Sequence, residues 1–354
     1  MVLVERDSPG SGASGVAAGM LVPCGEADGP GPFLDLGRRS LEMWPDMAAR
    51  LRETTGIDCE LQLCGVLRVA LEDADVAAVR SAVEWQRAAG IEVGWLDADE
   101  VAALEPAAAR CSGAAWYAIE GHVDAVRTVA ALVAAGRGQG LEVRTATAVV
   151  GSADGGRLRL SAGDAIRAAV VVVSAGAWSA EVASALGASC PPVVPVRGQL
   201  IALRGLERVP GHVVYAGRRG YAVGRHDGSV IVGATEEAAG FDGSVTAGAT
   251  ERLLATARRL LRDAGAPTAA EARAGLRPRA ADGLPLLGEL AAGRAGGPRV
   301  LVASGHHRNG VLLAPVTGEG MASLVLDGRL PDGWEAFDPR RLIEAPGISP
   351  RRPR

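Results

Sequence analysis

The feature that most constrains the fold is the alternation of short apolar segments with longer amphipathic ones. Residues 2–5 form a short apolar segment typical of a strand, and residues 73–89 have apolar side chains at helical spacing before a glycine stop. Residues 122–135 predict another helix, and residues 142–144 another strand. Strands separated by helices are typical of a sheet that is covered by helices. The chain is therefore predicted to belong to the α/β class.

The middle of the chain follows a different pattern. Residues 193–203, 220–225 and 229–234 predict strands, and the last two flank a His-Asp-Gly turn that favours a hairpin. A helix is predicted over residues 250–264, and the chain then returns to a strand at 300–303 and a helix at 317–326. This order predicts one α/β nucleotide domain that is interrupted by a mainly antiparallel substrate domain.

Composition and charge exclude several classes of protein. All 37 basic residues among the 354 are arginine, they are scattered, and the net charge is -4, so a nucleic-acid partner is not expected. No apolar run approaches the roughly 18 residues that span a bilayer, so stable membrane insertion is not expected either. The five cysteines are odd in number and lack metal-ligand spacing, which favours a reduced, cytoplasmic setting.

A glycine fingerprint near the start of the chain is open to two interpretations. The segment from Gly10 to Gly15 matches G-x-G-x-x-G, but a phosphate cradle needs its first glycine at the strand end and a long helix at its third. Here several residues intervene, and Pro23 follows too soon for a packed helix. The alternative that we favour makes Glu5 the ribose-binding acid that ends a second strand. The first strand, glycine turn and helix would then lie upstream of Met1; otherwise, Glu5 lies on a solvated surface strand.

A series of short motifs runs through nearly the whole chain in a fixed order. They lie at residues 13–21, 104–106, 120–124, 172–179, 195–199, 229–236, 275–278, 282–285 and 305–315. In this order they resemble the FAD-dependent amine and amino-acid oxidases of the D-amino-acid oxidase superfamily, above all its glycine oxidases of thiazole biosynthesis. Each motif is weak alone, but the ordered set is specific.

The resemblance implies an α/β fold in which an N-terminally truncated, FAD-binding Rossmann-like domain carries an inserted α+β antiparallel-sheet substrate domain. Residues 1–60, 125–190 and 275–330 are predicted to form the FAD domain. Residues 61–124 and 191–274 are predicted to form the substrate domain, with a C-terminal tail at 331–354. Without the upstream glycine turn, we expect the chain as given to bind FAD poorly or not at all.

Several FAD contacts are implied by the same resemblance. A glycine-containing loop that leads into a helix N-terminus offers N–H groups and a positive dipole to the electron-rich edge of a flavin. That loop corresponds to His306, His307, Arg308, Asn309, Gly310, Val311 and Leu312. Glu5 and Arg6 correspond to the ribose end, Ala13, Ser14, Ala18, Gly19 and Met20 to the segment beside the ring, and Val149 to a backbone contact with the adenine.

The resemblance also implies a site for the substrate. Arg277 and Arg308 correspond to arginines at the substrate carboxylate, which a guanidinium binds bidentately, and Tyr221 to a substrate-side tyrosine. Either arginine could instead be a structural ion-pair member. Arg219 stands where the family has a histidine, a departure that bears on substrate preference. No metal is expected at His306 and His307, because no carboxylate or thiol lies at ligand spacing.

The implied reaction is FAD-dependent oxidative deamination of glycine or another small amino acid or amine. A hydride would pass from the α-carbon to flavin N5, water would release ammonia and the keto acid, and oxygen would yield hydrogen peroxide. The partners would be a small amino acid and oxygen, in thiamine (thiazole) biosynthesis, with homo-oligomerisation left open. Two alternatives stay open: a related dehydrogenase with a membrane electron acceptor, and a catalytically silent chain.

Overall fold

Strands and helices alternate along most of the chain. The computed structural model describes residues 1–27, 29–153, 156–291 and 297–343. The strands are β1 Val2–Val4, β2 Met20–Leu21, β3 Val66–Ala70, β4 Gly94–Leu96, β5 Gly113–Tyr117, β6 Gly121–His122, β7 Glu142–Arg144, β8 Val149–Ala153, β9 Arg157–Leu160, β10 Ala165–Ile166, β11 Val170–Val173, β12 Val193–Arg204, β13 Val213–Tyr215, β14 Tyr221–Gly224, β15 Val230–Gly233, β16 Ala269–Ala280, β17 Leu286–Glu289 and β18 Arg299–Ser304. The helices are α1 Ala13–Val16, α2 Pro32–Thr55, α3 Asp73–Ala88, α4 Ala98–Leu104, α5 Ala125–Gly138, α6 Ser179–Ala185, α7 Ala247–Leu260 and α8 Ala314–Leu326.

A mixed eight-stranded sheet carries most of the middle of the chain. Its strand order is β16-β12-β15-β14-β13-β3-β5-β4, and its pairs are antiparallel except for β13 with β3. Strands β12 and β16 pair along their full length, from Val193 opposite Ala280 to Arg204 opposite Ala269. The predicted hairpin joins β14 to β15, as the His-Asp-Gly turn indicated.

Parallel pairs form smaller sheets beside it. Strand β1 pairs in parallel with β7, and β11 pairs in parallel with β18, which β17 joins antiparallel. Within the described residues, β1 and β11 are each paired along one edge only. The α/β class that the sequence predicts is confirmed. In such folds ligands bind at the carboxyl ends of the parallel strands.

Apolar cores fix both faces of the large sheet and the start of α8. One face packs against α3, and the opposite face packs against α4 and α7. A further core joins α2 to α8 around the fully buried side chains of Trp44 and Trp334. In the part of the chain that the structure describes, no helix has the length and apolar character needed to cross a membrane.

Helix boundaries differ from the predictions where local caps override periodicity. The helix expected from residue 122 begins at Ala125, because the Asp124 carboxylate caps it by accepting a hydrogen bond from the Arg127 N–H at 2.8 Å. The helix expected at 250–264 runs over Ala247–Leu260. Residues 13–16, within the motif at 13–21, form the four-residue helix α1. Of the C-terminal tail predicted at 331–354, residues 344–354 lie outside the described residues.

Candidate active site

The side chains of Tyr221 and Arg277 occupy space that is free only because the residues facing them are glycines. An added Cβ at Gly233, which lies opposite Tyr221 in the sheet, would be 2.2 Å from the tyrosine oxygen. An added Cβ at Gly198 on β12 would be 2.2 Å from Cζ of Arg277 on β16. Only glycine therefore leaves room for these two side chains as they stand.

The Arg277 guanidinium is enclosed but has no carboxylate partner in the described part of the chain. Its Nη1 donates to the carbonyl oxygen of Thr235 at 2.9 Å. Burial lowers the pKa of Arg277, and the nearby Tyr221 acts in the opposite direction. A buried cation without a counter-ion costs free energy, so this arrangement favours the binding of an anion.

Arg308 reaches the same cluster from the loop before α8. Its Nη2 donates to Oε1 of Glu26 at 2.7 Å, and both side chains are largely shielded from solvent. Burial alone would lower the pKa of Arg308, but the Glu26 carboxylate reverses this and the pKa is raised. Burial raises the pKa of Tyr221, while Arg277 and Arg308 both lower it. The structure thus brings the three predicted substrate residues together.

His307 lies beside the two arginines as a neutral ring. The backbone N–H of His307 donates to the carbonyl oxygen of Pro278 at 2.7 Å, and its φ of 50° is left-handed. Burial lowers the pKa of His307 to about 3, and Arg277, Arg308 and Arg279 act in the same direction. Its buried Nε2 has no hydrogen-bond partner among the described residues. This nitrogen is therefore available to a ligand.

The loop from His306 to Leu312 fits the flavin edge that the sequence assigns to it. In the described chain the amide N–H groups of Gly310, Val311 and Leu312 donate to no acceptor, whereas that of Asn309 donates to His306. The carbonyl oxygen of Leu312 is fixed by Ser40 Oγ at 2.7 Å and Trp44 Nε1 at 3.0 Å. Free amides beside the N-terminus of α8 suit the electron-rich oxygen and nitrogen of an isoalloxazine.

The predicted ribose end lies where parallel strands finish. Glu5 and Arg6 follow β1, and the Arg6 guanidinium carbon lies 4.2 Å from the centroid of the Trp178 ring, beyond β11. Ser304 at the end of β18 donates to the carbonyl oxygen of Gly176 at 2.9 Å. These contacts link the carboxyl ends of β1, β11 and β18, and folds of this class bind nucleotides at the carboxyl ends of their parallel strands.

The segment predicted beside the ring packs closely on the sheet. Ala13 and Ser14 lie in α1, and an added Cβ at Gly275 of β16 would be 3.3 Å from Ala13 Cα. Gly19 has a φ of 70°, and an added Cβ there would be 2.0 Å from the Val123 oxygen. Of the other predicted residues, Ala18 accepts a hydrogen bond from Arg225, Met20 pairs with His122, and Val149 pairs with Leu160.

The glycine fingerprint forms a tight turn instead of a long helix start. An added Cβ at Gly15 would be 2.0 Å from the carbonyl oxygen of Gly10, and Gly15 N–H donates to Gly12. The helix that follows, α1, has four residues. The short helix agrees with the expectation that this segment is not the phosphate cradle.

A second recess lies on the same sheet face beside α1. Its volume is about 330 Å³, and Arg225, Arg273 and Asp227 line it. Arg273 pairs with Glu271 at 2.8 Å, and Asp227 pairs with Arg204 at 2.8 Å. Arg273 and Asp227 are therefore already paired, and the Arg225 guanidinium donates to the carbonyl oxygens of Val123 and Ala18, so we place the candidate site at the Arg277–Arg308 cluster. No group of three or more side chains suited to a metal ion was found among the described residues.

Sequence reasoning missed three groups of this site. Glu26 is 282 positions from Arg308 in the chain, and no spacing rule connects them. Tyr215 lies opposite Tyr221 in the sheet. Glu236 places Oε1 3.9 Å from His307 Nε2. The motif at 229–236 contains Glu236, but it carries no signal for the role of that residue.

Comparison with known proteins identifies the family. Residues 1–324 match the family described as "DAO: FAD dependent oxidoreductase". The glycine oxidase of Geobacillus kaustophilus (strain HTA426) is 33% identical over 329 residues, which cover 92% of this chain and 86% of that protein. The bifunctional protein ThiO/ThiG of Synechocystis sp. is 30% identical over 341 residues, 94% of this chain and 48% of that one.

The fold leads to the same family. The crystal structure of glycine oxidase from Geobacillus kaustophilus superposes with a TM-score of 0.89 at 32% identity, covering 96% of this chain and 91% of that one. The ordered motifs, the free amides before α8 and the arginine cluster agree with this similarity. The chain belongs to the DAO family of FAD-dependent oxidoreductases.

Proposed function

We propose that the protein catalyses the FAD-dependent oxidative deamination of glycine or another small amino acid or amine. The observation that carries this proposal is the largely enclosed Arg277 guanidinium, which forms no ion pair with a described carboxylate and lies close to Tyr221 and Arg308. A substrate carboxylate supplies the missing charge. The glycine oxidases to which the chain is similar support this choice of substrate.

Each side chain of the cluster is assigned a different contact with such a substrate. Arg277 binds the carboxylate through its planar fork, and Arg308, held by Glu26, supplies a second positive charge. The unpartnered Nε2 of His307 gives the substrate amine a hydrogen-bond partner. The protein's contribution is therefore placement and electrostatics, whereas bound FAD supplies the two-electron oxidation.

We assign the cofactor to the residues that the sequence indicates. The amides of Gly310, Val311 and Leu312 would hold the pyrimidine edge of the flavin, and Glu5 with Arg6 the ribose end. The similarity to ThiO/ThiG supports a place in thiazole biosynthesis, which we locate in the cytoplasm. A homo-oligomer is compatible with this assignment.

Peroxide production tests the proposed reaction. The protein is loaded with FAD, and hydrogen peroxide is measured in air together with the released amine, which is ammonia from glycine or a small D-amino acid and methylamine from sarcosine. Equal amounts of the two products, without an added electron acceptor, are expected. Turnover that requires an artificial acceptor would instead identify a dehydrogenase. A protein that binds flavin but turns over none of these amines would refute the proposal.

A further inference from the structure

A buried carboxyl group lies behind the arginine cluster and contacts neither Arg277 nor Arg308. Glu120 lies between β5 and β6 and is 1% exposed. Its Oε1 accepts hydrogen bonds from the backbone N–H groups of Cys24 at 2.6 Å and Gly25 at 3.3 Å. The next residue is Glu26, the partner of Arg308. Glu120 therefore holds the backbone from which Glu26 projects.

Gln86 of α3 forms a further hydrogen bond to the backbone of the Cys24–Glu26 turn. Its Nε2 donates to the carbonyl oxygen of Cys24 at 2.8 Å. Three polar atoms beside this turn are buried and have no hydrogen-bond partner in the described chain: Gln86 Oε1, Glu120 Oε2 and the hydroxyl oxygen of Tyr117. Unpaired buried polar atoms reduce stability, and an apolar group here would avoid that cost. Stability alone therefore does not account for polar groups at this position.

We propose that Glu120 is a positioning residue for the substrate carboxylate. It fixes the Cys24–Glu26 turn, so that Glu26 holds the Arg308 guanidinium in the orientation that meets the carboxylate. Arg308 is a long side chain with many rotamers, and its binding energy is available only if those rotamers are restricted beforehand. The identification of the bound carboxylate as that of an amino-acid substrate rests on the proposed function.

The protonation of Glu120 suggests a conservative variant. Burial raises the pKa of Glu120 to about 8, against the opposing effect of the two N–H groups. A neutral carboxyl group resembles a carboxamide in shape and retains one acceptor oxygen. Glu120→Gln should therefore keep the turn in place, whereas Glu120→Ala removes its acceptor.

The test uses the FAD-loaded enzyme and two readouts. One is the KM and kcat for glycine; the other is the Kd of acetate, followed through the change it causes in the flavin spectrum. We expect Glu120→Ala to raise KM and Kd roughly ten- to hundredfold with a smaller change in kcat, and Glu120→Gln to restore most of the loss. Acetate binding tests Glu120 even if glycine is not the substrate, so the two proposals can fail separately.

A double-mutant cycle shows whether Glu120 acts through Glu26. In a Glu26→Ala background, Glu120→Ala should have no further effect on the Kd of acetate. An equal effect in both backgrounds, or an unchanged Kd in Glu120→Ala, would overturn the proposal. If Glu120→Ala does not fold, Gln86→Met removes the other hold on the turn and should also raise the Kd; an unchanged Kd would count equally against it.

Glu105→Ala is the matched control. Glu105 is also buried, at 3% exposed, and also accepts two backbone N–H bonds, from Ala107 at 3.0 Å and His212 at 2.8 Å. It does not contact the Cys24–Glu26 turn. Its removal should lower the melting temperature without changing the Kd of acetate. A comparable rise in Kd in this variant would show that any loss of a buried carboxyl group weakens binding, and would refute the specific role of Glu120.

Discussion

A single methyl group at Gly198 tests the carboxylate clamp without altering any charge. An ideal Cβ there lies 2.2 Å from both Cζ and Nη1 of Arg277, and 2.3 Å from Nη2. Gly198 is fixed in the sheet opposite Gly275, whereas the guanidinium is the end of a flexible side chain. In Gly198→Ala the guanidinium must therefore move, and it loses both its bond to Thr235 and its alignment with the substrate.

The magnitude follows from the charge-assisted hydrogen bond to the substrate carboxylate that the displaced guanidinium no longer makes. A hydrogen bond to a charged group contributes about 1.5–3 kcal/mol, which corresponds to roughly ten- to hundredfold in affinity. We expect the KM for glycine to rise by that factor in Gly198→Ala, with bound flavin unchanged and the melting temperature nearly so. Steady-state kinetics and thermal unfolding of the FAD-loaded enzyme measure these quantities.

The arginine itself provides the control for this prediction. In Arg277→Ala the guanidinium is absent, so the methyl group of Gly198→Ala loses its three nearest contacts and should not raise the KM further in that background. An unchanged KM in Gly198→Ala alone would refute the clamp. The same would follow if the methyl group had an equal effect with and without Arg277.

Three further predictions concern charge, packing and pH. Arg277→Lys keeps the charge but loses the planar fork, so the KM for glycine should rise roughly tenfold or more while that for a small amine without a carboxylate stays constant. Gly320→Ala should lower the free energy of unfolding by roughly 1–3 kcal/mol, because its Cβ would lie 2.2 Å from the buried Trp334 ring, whereas Gly318→Ala in the same helix meets nothing and should not destabilise. The folded pKa of His307, about 3, is below the unfolded value of about 6.5, so its stabilising contribution is present above pH 6.5 and is lost as the pH falls towards 3. Denaturant unfolding between these pH values should show that the free energy of unfolding falls less on acidification in His307→Gln than in the unmodified protein. An unchanged pH dependence would contradict the burial of a neutral ring.

Elements that depend on local sequence could be predicted, whereas those that depend on tertiary pairing could not. Helices α3 and α5 and the β14–β15 hairpin follow from signals within a few residues. Helix α2 was missed because Pro45 lies inside it and proline and glycine surround its start. Strand β16 is rich in alanine, arginine and glycine, which predict no strand; pairing with β12 along its whole length imposes that state.

The residues of the site likewise fall into those that local motifs predict and those that only tertiary contacts reveal. Arg277 and Arg308 came from motifs, and the structure brings them together beside Tyr221. Glu26 and Glu120 could not be found, because their roles depend on contacts across 282 and about 95 positions of the chain. The division into FAD and substrate domains stays a prediction; strand β16 crosses the boundary that the sequence places at residue 275.

That crossing has a consequence for how the enzyme could change its substrate. Arg279 of β16 forms a β-bridge with His306, and the His307 N–H donates to Pro278, so main-chain bonds join the strand that carries Arg277 to the loop before α8. A hinge between these two parts would have to break those bonds. The spacing between the carboxylate clamp and the flavin loop is therefore set by the backbone. Mutations elsewhere in the pocket wall can alter which substrate side chain is accepted. New specificities can therefore evolve while the distance from the bound carboxylate to the flavin stays the same.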